Sequence, residues 1–498
     1  MTPPTGRGAL AQRYPAATSA LILVAAAFAL RGGQFGNPLI HVDENFYLLV
    51  GDRMLHGALP YVDIWDRKPV GLFVLYAAIR LLGGDGVPQY QIIATLFAAG
   101  TAMVVVRLAA PMAGRRAAVV AGIVYLMLLG LVGGSGGQAP VFYNLLTAGA
   151  ALATLKALSP GVSSRRVRAL GAVAMGLIGL GLQIKYNIVF EGVFFGLALM
   201  GASWKASRSP ERLIIDVLLW VGLAAFPTLL ALAWYARLGH LDAFVYANFL
   251  SIGDRAGAGP GEAAKRLGKA WGALHVPVFA AVLAGLLEPW RRFAGGPATY
   301  RFVLAWLGAA LFGYLVFGTY FNHYALPLLL PLAVACAPLF AHRPRKVGLI
   351  AAVLMLCAGA TANIVAIQRR HQKRGGAAEM AAVVDAIRPR LRGCLYVWNG
   401  DPLLYHLTGS CLPTRWPFAG HLNLLREHGA IGVDQVGEIR RILAGKPSVI
   451  VDREPIAKDF NFEAVSVMKA ELARDYRPVK IVAMKGDRVV VYERIKRR

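Results

Sequence analysis

The sequence predicts a polytopic α-helical membrane protein with about eleven transmembrane helices, further interfacial helices and a small C-terminal α/β domain. Of its 498 residues, 57% are hydrophobic and 16% are charged, whereas a soluble globular chain has about 25% charged residues. Many apolar runs reach the roughly 17–25 residues that a helix needs to cross a bilayer. After about residue 369 short alternating segments replace these runs, which indicates a separate soluble domain.

Eleven apolar runs precede that change of pattern. They cover residues 15–34, 88–110, 117–134, 138–158, 169–184, 188–203, 213–236, 271–288, 302–319, 324–341 and 347–367. Basic residues occupy the N-terminal segment, with Arg7 and Arg13, and the loop after every second run, as at 115–116. The intervening loops at 133–137 and 318–322 contain no basic residue. Because positive loops face the cytoplasm, we expect a multi-pass protein of the bacterial inner membrane with a cytoplasmic N-terminus and a periplasmic C-terminal domain.

Two segments bear on this topology. Residues 70–82 are apolar but number only thirteen and include Arg80, so we expect a helix that lies at the outer membrane surface. If this helix crossed the membrane, every later loop would change sides. The first run is close to the upper length of a signal-peptide core, so a cleaved signal sequence is the alternative. The stretch 31–33 that follows it lacks the small-residue cleavage pattern.

The net charge of +26 allows two interpretations, a nucleic-acid partner or a membrane surface. The basic residues of the first 369 positions mostly lie in short loops between apolar runs, which is typical of membrane topology. Membrane lipids with anionic headgroups are therefore the expected partner, and no nucleic-acid partner is expected.

The chain is expected to divide into a transmembrane module at residues 1–368, with its first outer loop at 35–87, and a periplasmic α/β domain at 369–498. In the second domain we predict strands at 394–398, 448–452, 479–484 and 488–492 and helices at 378–390, 434–444 and 461–475. Cys394 and Cys411 both lie there, and an oxidising compartment would let them pair. Two buried thiols are the alternative.

Acidic residues are concentrated in the first outer loop. The first 369 residues contain thirteen Asp and Glu, of which six fall between Asp43 and Asp85 and none between 86 and 190. Charged groups near a bilayer are unfavourable and are usually functional. The adjacent carboxylates of Asp43 and Glu44 suit general-base chemistry, because mutual repulsion and partial burial would raise the pKa of one of them. A solvated acidic turn is the alternative for such a pair.

Four motifs surround this acidic pair or follow it later in the chain. Asp43–Tyr47 reads D-E-x-x-Y, Gly57–Asp63 reads G-x-x-x-Y-x-D, Asp66–Gly71 reads D-x-K-P-x-G, and His323–Pro331 reads H-Y-x-x-P-x-x-x-P. This set resembles the GT-C superfamily of polyprenyl-phosphate-dependent glycosyltransferases. It is most similar to the branch that contains protein O-mannosyltransferases and lipid A aminoarabinose transferases.

The resemblance implies a fold and a reaction. A GT-C enzyme of this branch would transfer a hexosyl or pentosyl group from a polyprenyl-phosphate donor to an acceptor hydroxyl on the periplasmic face, with inversion. Asp43 would be the general base, and Glu44 would tune or share that role. A lipid, a glycan or a protein could be the acceptor, and the residues do not choose among them.

The reaction also needs a cation for the departing phosphate and groups that bind the substrate. The candidate substrate-binding residues are Tyr61, Asp63, Asp66, Arg67, Lys68, Lys185, His323 and Tyr324. Lys68 and Lys185 would hold the phosphate as point charges, with Arg67 and Arg255 as weaker candidates. Snorkelling to lipid headgroups is the alternative for Lys185. Tyr61 and Asp63 would bind sugar hydroxyls or hold the loop together.

The chain departs from the family pattern at two positions. Related enzymes often carry an acid at the start of the fourth crossing, where this chain has Asn144, and their K-P-P is K-P-V here with Val70. An amide cannot carry charge, so a metal ion shared between two acids is less expected, and no metal ligand is assigned. A divalent cation is still a possible cofactor.

Two other classes of protein compete with a transferase. A transporter or flippase of envelope lipids or glycans would usually show internal repeats and charges near the middle of the membrane. The charges here cluster at one face instead. A non-catalytic partner in envelope assembly would use the same acids structurally.

Overall fold

The computed structural model describes residues 15–495 and forms helices at all eleven predicted runs. Arg7 and Arg13 lie outside the described residues. The long helices are Pro15–Arg31, Val87–Leu131, Ala139–Ala157, Ser164–Leu182, Val189–Ser207, Pro210–Arg237, Pro260–Leu287, Gly296–Leu315, Leu329–Phe340 and Arg345–Arg374. Eight helical segments of the described chain are long and apolar enough to cross a membrane. The predicted polytopic helical fold is confirmed.

Two predicted runs form two helical segments that meet at a kink within Val87–Leu131. Val87–Leu131 contains both 88–110 and 117–134, except for the last three residues of the latter. Gly114, at φ 69°, interrupts the helical geometry between them, and glycine adopts this conformation without steric cost. The run thus changes direction where the sequence predicts a basic loop.

The described residues form two compact units. Unit 1 comprises the residues up to Gln34, Ile92–Pro227 and Ala258–Ala366, which hold most of the membrane-crossing helices. Unit 2 comprises Phe35–Gln91, Thr228–Gly257 and the chain from Ile367 onwards. The predicted division at residue 368 stays a prediction.

Unit 1 is built around Leu329–Phe340, a helix in which all twelve residues are buried. Helices nearer the surface keep large apolar side chains exposed, as at Leu218 and Val221 of Pro210–Arg237. Such exposure fits a hydrocarbon environment, since lipid is as apolar as the side chains. The helix at Ser164–Leu182 approaches Pro210–Arg237 closely.

Two glycines of Ser164–Leu182 permit this approach. A Cβ on Gly171 would lie 2.3 Å from the Trp220 ring, and one on Gly179 would lie 2.7 Å from the Leu223 carbonyl oxygen. Small residues let helix backbones pack tightly in membranes. The two helices are therefore closely packed at these two positions.

In unit 2, the first loop folds into helices Val42–Leu55 and Val70–Arg80, which pack against each other. A Cβ on Gly51 would lie 2.6 Å from the backbone nitrogen of Ala77, so only glycine permits this contact. Val70–Arg80 has eleven residues and is too short to span a bilayer. This length agrees with the interfacial helix expected from the sequence.

The C-terminal part of unit 2 contains a four-stranded sheet with strand order β1-β2-β4-β3. The strands are Tyr396–Val397 (β1), Val449–Glu454 (β2), Tyr476–Met484 (β3) and Asp487–Arg494 (β4). β1 and β2 are parallel, and the other two pairs are antiparallel. Helices Ala377–Ile387, Leu403–Leu407, Ala419–Asn423, Gln435–Ala444 and Phe462–Asp475 complete it, and Leu241–Val245 is a further helix of the unit. The predicted α/β character is confirmed.

Side-chain caps explain where two of these helices begin. Asp434 accepts a hydrogen bond from the Gly437 amide, and Asn461 accepts from the amides of Glu463 and Ala464. Cys394 and Cys411 form a disulfide bond, so the two residues are paired and are not two buried thiols.

Candidate active site

Asp43 and Glu44 lie in the first turn of helix Val42–Leu55. His41 caps this turn, because its Nδ1 accepts a hydrogen bond from the Asp43 amide at 3.3 Å. Amide groups at a helix N-terminus are partly positive and favour carboxylates. The local sequence therefore places two acids where the backbone stabilises their charge.

His41 is neutral beside this turn. Its Nδ1 lies 3.6 Å from the Asp43 Oδ2. Burial, helped by the nearby cations Arg374, Arg370 and Lys68 and opposed by Asp43, lowers the pKa of His41 to about 4. At neutral pH the ring can accept a hydrogen bond but does not supply a positive charge.

The two acids differ in accessibility. The Asp43 side chain is 19% exposed, whereas Glu44 is fully buried. Glu44 interacts electrostatically with Tyr47 and Tyr76, whose pKa values burial and the nearby acids raise well above the usual range. An incoming hydroxyl can therefore reach Asp43 more readily than Glu44.

Two cations of unit 2, Lys68 and Arg374, lie near the turn that carries Asp43. The Lys68 Nζ lies 3.7 Å from Asp66 Oδ1 and 5.8 Å from the centre of the Tyr47 ring. Arg374 donates to the Ile40 carbonyl oxygen at 2.6 Å, just before the turn that carries Asp43 and Glu44. Arg370 and Arg374 are not among the predicted site residues, because the change of pattern near residue 369 indicates a domain boundary there. Their spacing of four at a helix end was the available signal.

Asp66 is buried beside the same cations. Burial raises its pKa, and Lys68 opposes this effect. Asp66 Oδ1 accepts from the Arg67 amide at 2.7 Å and lies 3.9 Å from His421 Nε2. Burial lowers the pKa of His421 to about 3, so this imidazole is neutral as well.

Arg67 and Arg255 both have a buried protein partner. Arg67 Nη1 lies 2.6 Å from one oxygen of Glu427, and Arg255 Nε lies 2.8 Å from the other. Arg67 also donates to Ser251 Oγ at 3.0 Å. Burial opposes ionisation of Glu427, yet the two guanidinium groups outweigh it and lower the pKa of Glu427 to about 2. These contacts give both arginines a structural role in unit 2.

Tyr61 and Asp63 make contacts that hold the loop. Tyr61 has φ 71°, is 1% exposed, and donates to the Lys68 carbonyl oxygen at 2.7 Å. Asp63 Oδ2 accepts from the Leu59 amide at 2.7 Å. These contacts support the second of the roles expected for the two residues, which is to hold the loop together. Sugar binding stays a prediction.

Unit 1 brings the other three predicted residues together. The Lys185 ammonium lies 4.2 Å from the centre of the Tyr324 ring, and Lys185 is 8% exposed. The rings of Tyr324 and His323 meet edge to face at 4.8 Å, and His323 stacks on Phe321 at 5.7 Å. A cation over an aromatic face is attracted by the ring, which fixes its position.

Asn144 is also in unit 1 and is buried. Its Nδ2 donates to Tyr125 Oη and to the Leu326 carbonyl oxygen, each at 3.2 Å. The residue at the position where the family carries an acid is thus part of a neutral hydrogen-bonded cluster.

Within residues 15–495, neither compact unit taken by itself brings three histidine, cysteine, aspartate or glutamate side chains to within metal-binding distance of one another. A divalent cation stays an open expectation.

The chain is similar in structure to ArnT from Cupriavidus metallidurans. The apo form matches with a TM-score of 0.60 and 14% identity over 95% of this chain and 97% of ArnT. ArnT bound to undecaprenyl phosphate matches with a TM-score of 0.58 and 14% identity over 98% of each chain. The chain has the GT-C fold.

A second GT-C structure extends this likeness. The Archaeoglobus fulgidus oligosaccharyltransferase, tethered to an acceptor peptide containing the NVT sequon, matches with a TM-score of 0.53 and 12% identity. The match covers 89% of this chain and 70% of the oligosaccharyltransferase. No protein-family model and no curated protein matches the sequence. At these identities the likeness establishes the GT-C fold of the chain and leaves its activity to be argued from its own residues.

Proposed function

We propose that the chain is a membrane glycosyltransferase that moves a sugar from a polyprenyl-phosphate carrier to an acceptor hydroxyl, with Asp43 as the general base. The observation that carries this proposal is the setting of Asp43 in a GT-C fold. Asp43 lies in the first turn of a helix, is partly exposed, and sits beside a neutral histidine. ArnT, which has a similar structure, is known with undecaprenyl phosphate bound.

The reaction would proceed by in-line displacement at the anomeric carbon of the donor. Asp43 takes the proton of the acceptor hydroxyl as its oxygen forms a bond to that carbon. The bond from the carbon to the phosphate oxygen breaks, and the electron pair leaves with the carrier phosphate. Attack opposite the leaving group inverts the configuration of the sugar.

The carrier phosphate would be held by Lys185. Its ammonium is positioned over the Tyr324 ring within unit 1. A fixed cation stabilises the charge that develops on the departing phosphate, and a preorganised group does so without reorganisation. Lys68 is the second candidate, and its ion pair with Asp66 at 3.7 Å leaves it partly compensated.

The proposed site faces the periplasm of a bacterial inner membrane. The distribution of basic loops supports this orientation, because positive loops stay on the cytoplasmic side. The disulfide between Cys394 and Cys411 also supports it, since structural disulfides persist in oxidising compartments.

The decisive experiment replaces Asp43 with asparagine in the purified full-length chain. Sugar transfer from a polyprenyl-phosphate donor should fall by a factor of about 10² to 10⁴, the usual contribution of a general base. The matched control is Asp85→Asn, which removes an exposed acid of the same loop that is not assigned to the site. Full sugar transfer by Asp43→Asn would remove Asp43 from the base role. Lipid translocation that survives in Asp43→Asn would favour the flippase alternative.

Lys185→Ala in the same assay separates donor binding from acceptor activation. We expect weaker donor binding in Lys185→Ala than in Asp43→Asn, because Lys185 would hold the phosphate and Asp43 would act on the acceptor. Lys205, in the last turn of helix Val189–Ser207, offers a control lysine. Equal donor affinity in Lys185→Ala and the unmodified chain would refute the phosphate role.

A further inference from the structure

The C-terminal part of unit 2 contributes a carboxylate to the region around Asp43. Asp401 follows β1, and its Oδ1 accepts a hydrogen bond from the Leu403 amide at 2.9 Å. Its Oδ2 accepts from Asn45 Nδ2 at 2.8 Å, although the two residues are 356 positions apart in the chain. Asp401 therefore reaches the same helical turn that carries the acidic pair.

Asn45 transmits this contact to Asp43. Asn45 is fully buried and its Nδ2 also donates to the Pro38 carbonyl oxygen at 2.6 Å. Since Asn45 lies two residues after Asp43 in helix Val42–Leu55, fixing its side chain fixes the orientation of the first turn.

Arg374 holds the other side of this turn. It donates to the Ile40 carbonyl oxygen at 2.6 Å and interacts electrostatically with Asp43, Glu44 and Asp401. Three carboxylates thus share the field of one guanidinium. Adding or removing one negative charge in such a group changes how easily each of the others stays ionised.

Several groups face Asp401. The hydrogen-bond donors are the Leu403 amide and Asn45, the cations are Arg374 and Arg453, and Tyr90 interacts with it from helix Val87–Leu131. Burial raises the pKa of Asp401 to about 6, against the opposing effects of these donors and cations. Its charge therefore changes near neutral pH.

We propose that Asp401 is a positioning residue of the transferase, which orients the Asp43 turn through Asn45 and, together with Arg374, sets the charge around the general base. This inference rests on the proposed function. It assigns the C-terminal domain a direct part in setting up the catalytic turn.

The test is the pH profile of kcat/KM for Asp401→Asn, measured with the same full-length chain and the same donor as for Asp43→Asn. The amide can still accept from Asn45 but carries no charge. In the unmodified chain Asp401 ionises near pH 6, so the acidic limb is drawn out over two coupled carboxylates. In Asp401→Asn only the base titrates, so the limb should become a single step centred at lower pH. A weaker base should also lower kcat, by roughly threefold or more, with little change in KM.

Two further variants separate charge from position. Arg374→Met removes the positive neighbour and should move the acidic limb to higher pH, opposite to Asp401→Asn. Asn45→Ala changes no charge and should lower kcat without moving the limb. Thermal unfolding shows whether Asp401→Asn folds. If it does not, the other two variants still test the inference. An unmoved acidic limb in Arg374→Met, together with an unchanged kcat in Asn45→Ala, would overturn it.

Asp452→Asn is the matched control. Asp452 lies buried in β2, and burial raises its pKa to about 6 as well, while its hydrogen-bond partners are the Arg453 amide and Asn399. Its replacement should leave the acidic limb in place. An equal limb shift in Asp452→Asn, or none in Asp401→Asn, would overturn the inference. Loss of transfer in Asp43→Asn alongside an unmoved limb in Asp401→Asn would leave the proposed function standing, whereas full transfer by Asp43→Asn would refute both.

Discussion

Unit 1 and unit 2 accommodate buried charge in different ways. In unit 1, the carboxylate of Glu191 accepts from the indole of Trp306 at 2.8 Å, and Arg31 donates to Thr95 Oγ1 at 2.9 Å. In unit 2, Glu427 binds two arginines at once. Glu191 and Arg31 of unit 1 are thus met by neutral groups, whereas Glu427 of unit 2 belongs to a charge network. Unit 1 also holds an ion pair of the buried Asp216 with Arg168, so the contrast concerns Glu191 and Glu427.

The difference follows from the surroundings of each unit. Unit 1 holds most of the membrane-crossing helices, where every additional charge is unfavourable. A neutral hydrogen-bond donor therefore costs less free energy there than a charged partner. Unit 2 places its acids and arginines where partners from distant parts of the chain converge. A residue in a charge network should therefore be much less replaceable than a singly bonded acid in unit 1.

The largest effect is expected for Glu427→Gln. Removing this charge leaves the buried guanidinium groups of Arg67 and Arg255 uncompensated, which typically lowers the free energy of unfolding by about 3–5 kcal/mol. Unfolding of the detergent-solubilised chain would measure it. The control is Glu463→Gln, because Glu463 and its partner Arg440 are both exposed and such pairs contribute about 1 kcal/mol or less. Equal stability of the two variants would contradict the network interpretation.

A smaller, pH-dependent effect is expected at Asp52. Burial opposes its ionisation, but His406 and Arg80 outweigh it and lower the pKa of Asp52 to about 2. Because the folded-state pKa lies below the unfolded value of about 4, the stabilisation is complete above about pH 4 and is lost as the pH falls towards 2. Asp52→Asn should therefore lower the free energy of unfolding by about 2 kcal/mol at pH 7.

The pH dependence checks this assignment. The stability difference between the unmodified chain and Asp52→Asn should shrink as the pH is lowered from about 4 to 2. Asp63→Asn, at an exposed acid of the same loop, provides the comparison. A difference that stays constant over this range would show that Asp52 acts through packing and not through its charge.

Local patterns in the sequence predicted the elements of both units. The long apolar runs became helices, and the alternating segments became β2, β3 and β4 close to their predicted positions, because hydrophobic periodicity determines both. The position of Asp43 and Glu44 after the first run likewise indicated the turn that is proposed to carry the general base. These features depend on neighbouring residues only.

The long-range partners could not be predicted in the same way. Arg67 meets Glu427 across 360 positions, and Asn45 meets Asp401 across 356. No pattern within a short window reports such a pairing, since the two residues come together only through the fold. Tyr61, a motif position expected to bind sugar or to hold the loop, is buried, and a short window could not have predicted that burial either.

The smallest effect is expected for Glu191→Gln in unit 1. Glutamine has nearly the same shape as glutamate and can still accept a hydrogen bond from Trp306 Nε1, so this bond is kept. A neutral side chain also avoids placing an ion among apolar helices, which makes such a replacement neutral or slightly stabilising. The free energy of unfolding should stay within about 1 kcal/mol of the unmodified chain. A loss as large as that of Glu427→Gln would mean that Glu191 also belongs to a charge network, and the contrast between the two units would fail.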